Sequence, residues 1–133
     1  MALGALPYLD VEADRKGRIL AIGVVRGDTS LHLALGAMSP EASREALLRL
    51  VGERGVIAGH NLVAFDVPLL EQALGLSLAR RPLLDTLHLS LLAWPERTSH
   101  RLDKTDGAGE AHVALPDPCA DARRARALAL EAE

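Results

Sequence analysis

Four carboxylates occupy places where a folding chain does not ordinarily put them. Asp10 and Glu12 lie in the stretch PYLDVEAD, whose period-two alternation sends Leu9 and Val11 to one face of a strand and both acids to the other. Asp66 follows Phe65 at the first turn of an otherwise apolar helix, just after the strand end Gly59-His60-Asn61. Asp121 sits inside PCADARRARAL, on a helix where Ala125 and Leu128 share its face. Singly, each has an ordinary explanation, a solvated strand for the D-x-E pair or a helix cap for a lone aspartate. Together, they are acids from three separated segments at positions that favour burial. Carboxylates brought together raise one another's pKa unless cations are present. An all-oxygen cluster selects hard ions, Mg²⁺ or Mn²⁺. A pair of such ions about 3.5–4 Å apart orients an attacking water and stabilises the leaving oxygen of an in-line phosphoryl displacement. The chemistry to expect is phosphodiester hydrolysis.

The elements that must position these acids follow from local pattern. DRKGR predicts a turn after the first strand, RILAIGVVRG a buried strand, Gly27-Asp28 a reversal, and residues 30–35 a third strand, together an antiparallel meander. Ser39-Pro40-Glu41 predicts a helix start with Ser39 as N-cap and Pro40 at the first helical position. Leu47, Leu48 and Val51 form its buried stripe, and residues 52–55 end it. A short buried strand is expected over residues 56–61 and a helix over 64–74, with Pro68 tolerated in its first turn and Gly75 as its stop. Residues 85–94 predict a further helix closed by Pro95, residues 97–116 a surface loop, and residues 117–133 the last helix. This order implies an α/β fold: a mixed sheet with its first three strands antiparallel, flanked by helices. The first strand would be central, so Asp10 and Glu12 would not lie on a free edge.

A chain of 133 residues, 49% hydrophobic and 25% charged, suits one domain with a real core. No apolar run approaches a membrane span and no leader pattern opens the chain, so a cytoplasmic protein is expected, with no membrane partner. The single cysteine, Cys119, excludes an internal disulfide and a thiolate zinc cage. A net charge of −3 gives no general basic field for duplex binding. Local cations remain: Arg15, Lys16 and Arg18; Arg80 and Arg81; Arg123, Arg124 and Arg126. Tyr8, Phe65 and Trp94 are the available platforms for base stacking.

At this point the motifs resemble a known family. LDVEA resembles the D-x-E first motif of DEDD-superfamily 3′-5′ exonucleases, GHNLVAFD the H-N-x-x-x-F-D second motif, and ADARRARAL the helix that supplies the last aspartate. The order and spacing match over nearly the whole chain. The resemblance implies a ribonuclease H-like fold, two Mg²⁺ or Mn²⁺ ions, and removal of nucleotides from 3′ ends. By position it makes Asp10, Glu12, Asp66 and Asp121 the metal ligands. It places Val11 and Ala13, which flank Glu12, near the terminal nucleotide together with His60, Asn61 and Phe65. DTLHLSLLAWPERTSHRLDK followed by DPCADA looks like the exonuclease modules that accompany bacterial RecQ-like helicases. That narrower likeness implies single-stranded 3′ ends, DNA favoured and RNA open, a helicase domain or partner, and a role in repair. The chain stops just after the third-motif helix, as a domain cut from a longer protein would.

The third motif departs from the family pattern. The common subclass carries a histidine five residues before the last aspartate as general base, and Pro116 stands there relative to Asp121. In a second register His112 lies five before Asp117, which would make Asp117 the ligand. Asp121 is preferred because its segment continues as an amphipathic helix, whereas Asp117, followed by Pro118, suits a helix cap. The base is open between His112 and His100, and Lys104 is a candidate for holding the water or the scissile phosphate. After D-x-E, Ala13-Asp14-Arg15-Lys16-Gly17 replaces the usual Thr and Gly residues, and Arg15 or Lys16 could approach a phosphate. Two other readings stand beside the exonuclease: a catalytically impaired domain that binds nucleic acid or protein, and an oligoribonuclease-like enzyme for short RNA.

Overall fold

The computed structural model describes residues 2–102 and 117–133. At its centre is β1 (Tyr8–Ala13), a strand with neighbours on both sides. On one side β2 (Ile19–Arg26) runs antiparallel to it, setting Asp10 opposite Gly23 and Glu12 opposite Ala21, and β3 (Thr29–Ala34) is antiparallel to β2. Their turns are locally encoded. The Asp14 carboxylate accepts the backbone N–H groups of Lys16 and Arg18, and Gly17 and Gly27 take the positive φ of the two reversals, 79° and 57°. On the other side β4 (Ile57–Gly59) and β5 (Leu83–Asp85) run parallel to β1, giving the order β3-β2-β1-β4-β5. Parallel neighbours need crossovers. The connections carry α1 (Pro40–Val51) before β4 and α2 (Val67–Leu74) between β4 and β5. Then α3 (Thr86–Ala93) follows β5 directly, and α4 (Pro118–Ala132) closes the fold. The expected α/β class is present, and the arrangement is compatible with a ribonuclease H-like fold. Among the described residues no helix is long and apolar enough to cross a membrane.

The sheet has a different core on each face. Leu9 and Val11 pack with Ile22, Val24 and Leu33 against Leu47 and Val51 of α1 and Leu70 of α2. Tyr8, Val25 and Ala58 pack against Cys119, Ala122, Ala125 and Ala129 of α4. Period two therefore puts Asp10 and Glu12 on the α4 side with Tyr8. The small buried residues of α4 let the helix lie close to the sheet. Gly23 serves the same end, because a Cβ there would overlap the backbone of Pro118 and Cys119. The residue opposite Asp10 thus admits the start of α4, and Asp121 comes round one turn later.

Local signals and observed elements agree at most ends. Ser39 caps α1 by accepting from Ala42 N at 3.1 Å, Pro40 opens the helix, and Gly52 at φ 73° ends it. Three segments differ from expectation. The strand expected over residues 56–61 is Ile57–Gly59 only, because Asn61 turns to the left-handed region at φ 58°. The helix expected over 64–74 is split into a π-helical turn, Leu62–Asp66, and α2. The helix expected over 85–94 gives up Asp85 to β5, a strand with no sequence signal of its own; its pairing of Ile57 with Leu83 and Gly59 with Asp85 creates it.

Arg81, grouped above with cations free to meet nucleic acid, is engaged inside the fold. Its guanidinium donates to the carbonyls of Val51, Gly52, Arg54 and Gly55, closing the C-terminal end of α1 and the turn into β4. Replacing it leaves those carbonyls without their charged donor. Arg81→Ala is expected to lower the unfolding free energy by about 1–3 kcal/mol, read as a shift of the urea midpoint with an unchanged slope.

Candidate metal centre and its cleft

β1 and α4 bring three acids together. Asp10, Glu12 and Asp121 each offer a carboxylate oxygen, and these oxygens lie within 4.8 Å of one another. Asp66, at the end of the π-helical turn, lines the same cleft but is not one of the residues whose oxygens meet within 4.8 Å. It is 1% exposed, and its Oδ2 is buried with no hydrogen-bond partner among the described residues. Burial above all, and then the charges of Asp10, Asp85, Glu12 and Asp121, hold its carboxyl well above the usual carboxylate range. All four acids line one open cleft of about 780 Å³, together with Val11, His60, Asn61, Phe65 and His100.

The turn that delivers Asp66 is held by a residue the sequence reading gave no role. The buried Asp85 carboxylate accepts from Asn61 N at 2.8 Å, Val63 N at 3.1 Å and Leu87 N at 3.0 Å. It caps α3 and fixes the start of the wide turn at once. Next to it, the Thr86 hydroxyl lies 3.2 Å from Gly59 O and 2.9 Å from His60 Nδ1, tying the ring to the end of β4. Burial pulls the His60 pKa below its ordinary value, against the raising influence of the His100 backbone and of Asp85 and Asp121. One turn further on, Ser90 Oγ meets His100 Nδ1 at 2.7 Å. The buried face of α3, Asp85, Thr86 and Ser90, therefore orients three parts of the cleft wall. The signal was present in DTLHLS: polar residues set among leucines at positions that turn inward.

Other expected site residues fall elsewhere. Asp117 is the N-cap of α4, accepting from Cys119 N at 3.0 Å, and does not line the cleft. Ala13 lies past a β-bulge after Glu12, and Arg15 and Lys16 lie on the exposed turn beyond it; none of the three lines the cleft. His112 and Lys104 lie outside the described residues. Of the three aromatic platforms, Tyr8 is fully buried with its hydroxyl donating to Leu3 O at 2.8 Å, and Trp94 carries the Arg97 guanidinium 4.1 Å over its ring. Phe65, 43% exposed, faces the cleft. Sequence reasoning also left out Arg101 in the cleft wall and the pairing of Arg124 with Asp121 at 2.8 Å.

A hard divalent cation fits this donor set. The converging atoms are carboxylate oxygens, no thiol is among them, and the buried Asp66 oxygen has no donor from the described residues to quiet it. Asp10, Glu12 and Asp121 would hold the ion or ions, with Asp66 closing the set. Comparisons of the chain with protein-family models, with curated proteins and with solved structures find no significant match.

Proposed function

We propose that the chain is a two-metal-dependent 3′-5′ exonuclease that hydrolyses phosphodiester bonds at single-stranded nucleic-acid ends. One observation carries this reading: carboxylate oxygens of Asp10, Glu12 and Asp121, from a central strand and a remote helix, converge within 4.8 Å in a cleft also lined by Asp66, whose buried Oδ2 has no hydrogen-bond partner among the described residues. Two Mg²⁺ or Mn²⁺ ions held there would activate water and stabilise the leaving 3′-oxygen. The chain's own residues do the positioning. Phe65 and Asn61 stand exposed at the cleft, where a terminal base can stack on the ring and meet the amide. His60, tied through Nδ1 to Thr86, lines the same cleft. His100, which meets Ser90 Oγ and lines the cleft, is the candidate to take a proton from the attacking water. DNA as the favoured substrate, a helicase-linked role in repair and a cytoplasmic location rest on the motif resemblance.

The test is incubation with a 5′-labelled single-stranded oligonucleotide, in DNA and RNA forms, with Mn²⁺ or chelator. Mn²⁺-dependent shortening from the 3′ end, lost in Asp10→Ala, is the expected result. Tight binding with no cleavage by the wild-type protein would sink the enzyme and leave a nucleic-acid-binding module.

A further inference from the structure

Arg124 stands one turn beyond Asp121 on α4, and its Nη1 donates to Asp121 Oδ1 at 2.8 Å. The pair is largely removed from water, with 24% of the Arg124 side chain and 7% of that of Asp121 exposed. Other arginines bond elsewhere: Arg26 to Leu50 O, Arg126 to Gly27 O, Arg18 to Asp14 in an exposed turn. Among the described hydrogen bonds of these arginines, that of Arg124 has an acceptor in the acidic cluster.

A metal ion bound at the cluster would share Asp121 with Arg124. A divalent ion that binds through Oδ1 must share that oxygen with the guanidinium or displace it. One that binds through Oδ2 stays within a few ångströms of a fixed positive charge, in a half-buried setting where solvent screens weakly. By either route the ion meets opposition that a neutral side chain at 124 would not offer. Without the ion, the guanidinium offsets part of the repulsion among the acids, and the i,i+3 spacing on the helix keeps it at hand. We infer that Arg124 is a resident counter-ion of the cluster, competing with divalent metal at Asp121 and so setting the metal concentration at which the site fills; this rests on the metal-dependent reading above.

Because the competition is one of charge, it can be read without substrate. Mn²⁺ binding, followed by the electron paramagnetic resonance signal of the free ion, is compared for the wild-type protein, Arg124→Gln, Arg124→Met and Arg124→Lys. Gln and Met keep a long stem and remove the charge, and they are expected to bind on the order of tenfold more tightly, with Lys in between. In the wild-type protein, the Arg124 Nε–H resonance is expected to shift and exchange faster on saturation with Mg²⁺, a measurement that holds even if a variant does not fold. Folded variants that bind Mn²⁺ no more tightly than wild type, or an Arg124 resonance indifferent to Mg²⁺ in a protein that binds it, overturn the competition alone. Failure of wild type and folded variants alike to bind Mn²⁺ overturns the metal reading, and this inference with it.

Discussion

Replacing Asp121 by asparagine is expected to lower Mn²⁺-dependent cleavage by about 10³-fold, while Asp117→Asn leaves it within about threefold of wild type. The two aspartates lie four residues apart at the start of one helix, and the sequence admits either as the last ligand. Their surroundings separate them. Asp121 is 5% exposed, with an oxygen within 4.8 Å of those of Asp10 and Glu12. Asp117 points its carboxylate at Cys119 N, 3.0 Å away, as the helix cap. Asparagine keeps the size of both side chains. At 121 it removes a charged oxygen from the cluster, whereas at 117 it still caps the helix. Single-turnover rates at saturating Mn²⁺, with circular dichroism to confirm folding, make the comparison. Full activity in Asp121→Asn, or its loss in Asp117→Asn, would put the cluster in the wrong register.

A second large effect is expected on stability, with a sign that depends on metal. In metal-free protein, Asp66→Asn should raise the thermal midpoint by several degrees at neutral pH. Asp66 is buried beside four other acids, and its folded-state pKa lies well above the ordinary 3.8. For a group shifted upward, the stabilising contribution is fully present below the unfolded value and is lost as pH rises through the folded one. Asparagine does not titrate. The gap between variant and wild type should therefore be smallest near pH 3.8 and widen as pH rises through the folded-state value of Asp66. Saturating Mn²⁺ should reverse the order. An ion that binds only the folded state adds about 2.7 kcal/mol when present at a hundred times its Kd, and the variant, lacking one of the proposed ligands, is expected to gain less. Thermal melts across pH with and without Mn²⁺ give all four curves. A metal-free variant no more stable than wild type at neutral pH would mean that the Asp66 charge is already compensated.

Much of this fold could be read locally, because the residues that start and stop its elements act within a few positions of themselves. Ser39 and Pro40 open α1, Gly52 ends it, and Asp117 caps α4, each by bonds or backbone angles that need no distant partner. The two-residue period of β1 separated Leu9 and Val11 from Asp10 and Glu12 for the same reason. What escaped was held by remote contacts. β5 is three residues long and exists because β4 lies beside it; the π-helical turn depends on a carboxylate more than twenty residues away, that of Asp85.

The candidate site divides along the same line. From the sequence alone came the acids and the face of its own element that each occupies, since side-chain direction is set by strand and helix periodicity. Only the tertiary structure decided that these faces meet. Gly23 and the alanines of α4 let a helix from the far end of the chain approach the strand that opens it, selecting Asp121 over Asp117 and drawing Arg124 in behind. Close approach depends on volumes contributed by segments about a hundred residues apart, a property that no local window of sequence contains.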